Sequence, residues 1–163
     1  MHTSLRFYAA TAPLCALLAL TACSKRNDAI PQQPVLASWT MDGQERTSTN
    51  TRAETSFDKV DVYIYQNFMT PNSNGTEVTV SLYIPKQIGT YTIGPNSQAR
   101  ANFIDLDTST GVNKESYTAE AGSITISTLT ATSVSGTFTL TGTGYLNKQL
   151  TKSLTNGKFT AAL

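Results

Sequence analysis

From about residue 35 onward, apolar side chains recur at every second position. The pattern is clearest between Gly122 and Gly142. Ile124 and Ile126 sit two apart, with Ser123, Thr125 and Ser127 around them, and Val134, Gly136, Phe138 and Leu140 repeat at the same interval. A period of two puts the apolar set on one face of a strand and the Ser and Thr hydroxyls on the other. The product is a sheet with one dry face and one wet face. The same alternation runs through Lys59 to Phe68, where Val60, Val62 and Ile64 interleave with Asp61, Tyr63 and Tyr65. It returns in Glu77 to Ile84, with Val78, Val80, Leu82 and Ile84 expected inward and Thr79, Ser81 and Tyr83 outward. Pro71-Asn72-Ser73-Asn74-Gly75 between these runs is a turn cluster, so they predict an antiparallel pair. Pro85 closes the second run because it has no N–H to give to a ladder.

Val35 to Met41 predicts a first strand, with Trp39 as a core or hairpin anchor, a ligand platform being the alternative. Asp42-Gly43 follows as a type I′ turn, in which both central residues need positive φ, and Gln44 to Thr51 returns beside it. Gly89 to Pro95, Arg100 to Leu106 and Glu115 to Ala121 are further strands, and Asp107 to Gly111 is a turn. At the end of the chain, Gln149 to Leu154 and Lys158 to Leu163 flank Asn156-Gly157, a second expected type I′ hairpin. Gly136 is expected to mark a bulge or a close backbone approach. No segment keeps a helical period over three turns. The fold class is therefore all-β: a single antiparallel β-sandwich or partly closed barrel of about nine or ten strands.

The first residues follow another rule. Arg6 is the one charge before an apolar run from Tyr8 to Leu20. That run suits a signal peptide and is shorter than the ~20 residues a membrane-spanning helix needs. Leu20-Thr21-Ala22-Cys23 resembles a bacterial lipobox. The resemblance implies a diacylglyceryl thioether on Cys23, cleavage just before it and acylation of the new amino end, palmitate included. An ordinary signal peptide that happens to carry a cysteine, or an N-terminal membrane helix, is the alternative. The expected organisation is a lipoprotein signal peptide over 1–22, a lipidated Cys23 and flexible tether over 23–34, and an all-β domain over 35–163. Two or three acyl chains hold a protein stably where one does not, so the membrane is a partner through the anchor. Ser24 is not the Asp that resembles an inner-membrane retention signal, which points to the outer membrane. Lys25-Arg26-Asn27-Asp28 matches acidic surface-export signals poorly, which points to the periplasmic face. The covalent lipid on Cys23 is the only prosthetic group expected.

Composition narrows the chemistry. Thr is roughly one residue in six, well above ordinary usage, and suits a half-exposed pleated surface. The chain has 12 Lys and Arg against 11 Asp and Glu. They form no basic patch, which excludes the footprint of a nucleic-acid binder. The only His, His2, and Cys15 leave with the signal segment, and Cys23 becomes the anchor. The remaining domain then lacks the imidazole and thiol of His-based triads and of His-ligated zinc sites. A Ser–Lys pair stays open, as does carboxylate chemistry through residues such as Asp105, Asp107, Glu115 and Glu120, but nothing in the spacing of these acids joins two across a cleft. No enzymatic activity is expected. Asp105, Asp107 and Ser109 open a stretch with oxygen ligands at alternate positions, a calcium candidate. Gly111 stands at its seventh place instead of its sixth, no Glu follows at the twelfth, and a plain turn explains the same residues. Tyr63, Tyr65 and Tyr83 fall on the wet face of neighbouring strands. They could meet a glycan or an envelope protein, or pin the sheet as cross-strand pairs.

Gly89-x-Tyr91, Tyr117, Gly122-Ser123-Ile124-Thr125-Ile126, Ser135-Gly136-Thr137-Phe138 and Thr155-Asn156-Gly157-Lys158-Phe159 occur in that order. With the lipobox and the Asp-Gly hairpin, the series resembles a family of Bacteroidota lipoproteins of unknown function. The resemblance implies an all-β fold and an envelope location, and it brings no catalytic residue. The expected function is a lipid-anchored envelope β-domain with a binding or structural role. A carbohydrate-binding accessory lipoprotein is the alternative, and a small carboxylate hydrolase stands behind it.

Overall fold

The computed structural model describes residues 33–69 and 74–163. The expected signal peptide, Cys23 and most of the expected tether lie outside the described residues. Every regular element described is a strand: β1 (Ala37–Met41), β2 (Gln44–Ser48), β3 (Asn50–Thr55), β4 (Lys59–Met69), β5 (Asn74–Pro85), β6 (Gly89–Ile93), β7 (Arg100–Asp107), β8 (Val112–Leu129), β9 (Ser133–Gly144) and β10 (Thr151–Ala162). They form one sheet in the order β2-β1-β10-β9-β8-β7-β5-β4-β3, with β6 attached to β8. The sheet curls until it nearly closes. Thr51 of β3 donates its hydroxyl to the carbonyl of Thr160 of β10 at 2.7 Å, joining regions near its two ends.

Alternation fixes what goes inside. Val60, Val62 and Ile64 of β4, Leu82 and Ile84 of β5 and Ile124 and Ile126 of β8 are buried, as is Trp39. Phe103 of β7 lies parallel on Tyr117 of β8 with ring centroids 5.0 Å apart. Phe138 of β9 and Phe159 of β10 lie in the core with ring centroids 6.4 Å apart. Asp42 and Gly43 have φ of 54° and 76°, as a type I′ turn requires.

Bulges make the departures from strict alternation. Between Ile64 and Tyr65 the β4–β5 register slips, and Thr79 is the extra residue. Thr79 is therefore buried, contrary to its expected outward place, and donates its hydroxyl to the Ile64 carbonyl at 3.2 Å. Asn156-Gly157 is likewise no hairpin. β10 runs through it, and its pairing with β9 slips between Leu154 and Gly157. Asn156 takes the positive φ of 54°, while Gly157 leaves room for a ring: a Cβ there would sit 2.4 Å from Phe138. Asn and Gly serve a bulge here for the reasons they serve a turn.

β8 also merges two expected strands into one of 18 residues. Its first half pairs with β7 and its second half with β6. The change of partner lies beside a register slip at Ala119 to Ala121. Gly136 is the close approach its sequence suggested, since a Cβ there would stand 1.9 Å from the Thr125 carbonyl oxygen.

Candidate functional site

The barrel has two ends. The β1–β2 turn, the β7–β8 turn and residues 145–150 share one rim, and the chain enters β1 from the other. At the rim, Asp105 is buried and faces two cations. Arg46 Nη2 and Lys152 Nζ each lie 3.2 Å from its carboxylate oxygens. Arg46 also donates to the Leu106 carbonyl at 3.2 Å, and Lys152 reaches Asp42. The two carboxylates hold the Lys152 ammonium above its usual range: its hydrogen bond with Asp42 contributes most, Asp105 adds to it, and burial opposes both.

Glu115, the register partner of Asp105, is spent differently. It accepts backbone N–H groups of Ser116 and Leu146 at 3.0 Å and of Asn147 at 3.1 Å. Those bonds hold its carboxyl below the usual range, the Leu146 N–H contributing most. Asp107 turns outward, accepts the Ser109 hydroxyl at 2.6 Å and the Ser109 N–H at 3.0 Å, and lies 3.6 Å from Lys114. Its pKa falls to about 2, chiefly through Ser109. The calcium candidate is thus divided. Asp105 faces Arg46 and Lys152, and Asp107 and Ser109 bind each other in the turn. No group of three or more Asp, Glu, His or Cys able to hold a metal occurs among the described residues.

The wet face of β4, β5, β7 and β8 carries a different arrangement. A half-open groove of about 1350 Å³ runs there, walled by the segment between β6 and β7. Asp58, Lys59, Asp61, Arg100 and Glu120 line it, with Tyr83. Asn102 and Thr118 supply further polar groups. The placement follows from alternation: Asp61, Tyr83, Arg100 and Asn102 are the outward partners of inward apolar residues on their strands. Among the described residues, these five charged side chains form no ion pair, although every acid and base discussed at the rim is engaged. Among the described residues, Glu120 alone of the five has a side-chain hydrogen bond, accepted from the Thr143 hydroxyl at 2.8 Å. Burial raises the Asp61 pKa, with Lys59 opposing and Glu54 adding. Phe57, next to Asp58, is wholly exposed.

All three expected tyrosines are half-buried on the wet face. Tyr63 meets Tyr83 edge-on, with centroids 6.4 Å apart and planes at 86°. Tyr65 makes no ring contact among the described residues, and of the three only Tyr83 lines the groove. Of the four carboxylates singled out from sequence, only Glu120 does. Arg100, Asn102 and Asp61 were missed as a group. Their outward positions are legible, but their meeting depends on the β4-β5-β7-β8 order, which skips β6.

Residues 59–162, from the start of β4 to the end of β10, match the family model described as a domain of unknown function, DUF6252. No curated protein and no solved structure matches the chain.

Proposed function

We propose a role in binding, not catalysis, for this chain, which belongs to the DUF6252 family of domains of unknown function. The domain is anchored by lipid on Cys23 to the outer membrane, on its periplasmic face, in a bacterium of Bacteroidota type. It works through the groove on β4, β5, β7 and β8. One observation carries the binding role: five charged side chains line that groove without pairing to one another among the described residues. Ionised groups held apart at a surface are poor contributors to stability and good contributors to recognition. The lipobox-like Leu20-Thr21-Ala22-Cys23 supports the anchor.

A small carboxylate hydrolase is the second reading. It is favoured by Asp61 and Glu120 lining one groove, with burial pushing the Asp61 carboxyl above its ordinary value. Calorimetry separates the two. Titration with purified envelope polymers is expected to give a saturable heat of binding that ends at saturation. Heat that continues at constant rate until the polymer is consumed would establish turnover and defeat the binding reading. The anchor is tested apart: Cys23→Ser is expected to move the protein from the membrane pellet to the soluble fraction.

A further inference from the structure

The groove's ligand class can be narrowed from its lining. We infer that it takes a neutral oligosaccharide, an inference that rests on the groove being a binding site. Three acids and two bases leave the lining with one net negative charge, which disfavours polyphosphates and polyuronates. The ionised carboxylates of Asp61 and Glu120 can only accept hydrogen bonds, and the Arg100 guanidinium can only donate them. A sugar hydroxyl does both at once, so neighbouring hydroxyls satisfy acids and base together. Asn102 and Thr118, which also do both, complete the lining.

Tyr83 supplies the apolar part. Edge contact with Tyr63 fixes its ring at the groove, and an aromatic body with a polar tip suits a ligand that is itself polar at its rim and apolar on its ring face. Size points the same way. About 1350 Å³ exceeds the ~300–1000 Å³ common for small-molecule sites, and the groove is half-open. Such a shape suits several linked units of a chain. A peptide could use the same length, but an internal peptide segment offers at each unit one amide pair, not a cluster of hydroxyls.

The test uses the full-length protein in detergent micelles and isothermal titration. The probes are neutral hexasaccharides of glucose, mannose, xylose and N-acetylglucosamine, a polyuronate, and an uncharged hexapeptide. At least one neutral hexasaccharide is expected to bind saturably. The binding is expected to weaken about tenfold or more in Arg100→Ala and in Tyr83→Ala, the loss of a charge-assisted hydrogen bond or a buried aromatic contact. Asp61→Asn serves as a variant that keeps its fold, checked by an unchanged or higher melting temperature, and it too is expected to bind more weakly. If only the polyuronate or the peptide binds, and does so through Arg100, the saccharide inference falls while the groove remains the binding site. If saccharide binding survives both alanine substitutions, or if no probe binds, the groove reading falls with it.

Discussion

Gly157 carries its meaning in the atom it lacks. A Cβ at that position would overlap the Phe138 ring, so Gly157→Ala is expected to cost ~1–3 kcal/mol in urea denaturation. Shrinking the ring should return part of that cost. The double variant Gly157→Ala, Phe138→Leu is expected to lose less than the sum of its single changes, and strict additivity would show that the contact is not the cause. Asp61 behaves in the opposite way. A carboxyl whose pKa is raised on folding opposes the folded state as pH rises past its ordinary range, so its ionised form is a cost at neutral pH. Asp61→Asn is therefore expected to melt at the same temperature as the parent or higher at pH 7. Single residues were legible where one local reason sufficed. Trp39 is buried as an aromatic in an alternating run should be, and Gly136 marks a close approach. Thr79 was not legible, because its inward turn comes from a slip against β4 that no local pattern records.

At the scale of elements, one carboxylate organises a loop. Residues 145–150 leave β9 with few apolar contacts, and Leu146 is largely exposed. The loop is held by Glu115, which takes the N–H groups of Leu146 and Asn147. The folded pKa of Glu115 is depressed, as is that of Asp107. Each contribution is thus complete above the unfolded carboxyl value and lost as pH falls through the folded one. For Asp107 that window runs from its ordinary 3.8 down to about 2. Melting temperature followed downward from pH 5 is expected to fall, and Glu115→Gln is expected to flatten the upper part of that decline. A decline of identical shape would place the acid sensitivity elsewhere. Most strands were readable from period two and most breaks from Gly, Pro and Asn. Asn156-Gly157 misled because a turn and a bulge ask for the same backbone. Which one forms depends on whether the flanking residues pair with each other or, as here, with β9.

For the whole molecule, the curled sheet brings charges from distant strands together. Arg46 of β2 and Asp105 of β7 stand far apart in the sheet order yet touch, and Lys152 joins them to Asp42. Both partners of the Arg46–Asp105 pair are mostly buried, and Arg46→Ala is expected to cost ~1.5–3 kcal/mol, the worth of a hydrogen bond to a charged group. Lys152 carries the opposite pH sign. Its raised pKa makes its contribution complete below 10.5 and lost as pH rises through the folded value, so Lys152→Met is expected to remove an alkaline loss of stability. The class of fold was legible from alternation alone. The order of strands was not, and both the rim cluster and the groove are products of that order.

The order also has a consequence in time. β1 is flanked by its hairpin mate β2 and by β10, the last of the described strands. A chain made from its amino end must therefore present its first strand long before that strand's second neighbour exists. Contacts between such remote segments are costly to close and slow to form. The sheet can be completed only when β10 has emerged, and shortening the chain before Thr151 is expected to leave β1 and β9 with open edges, read as loss of the cooperative melting transition.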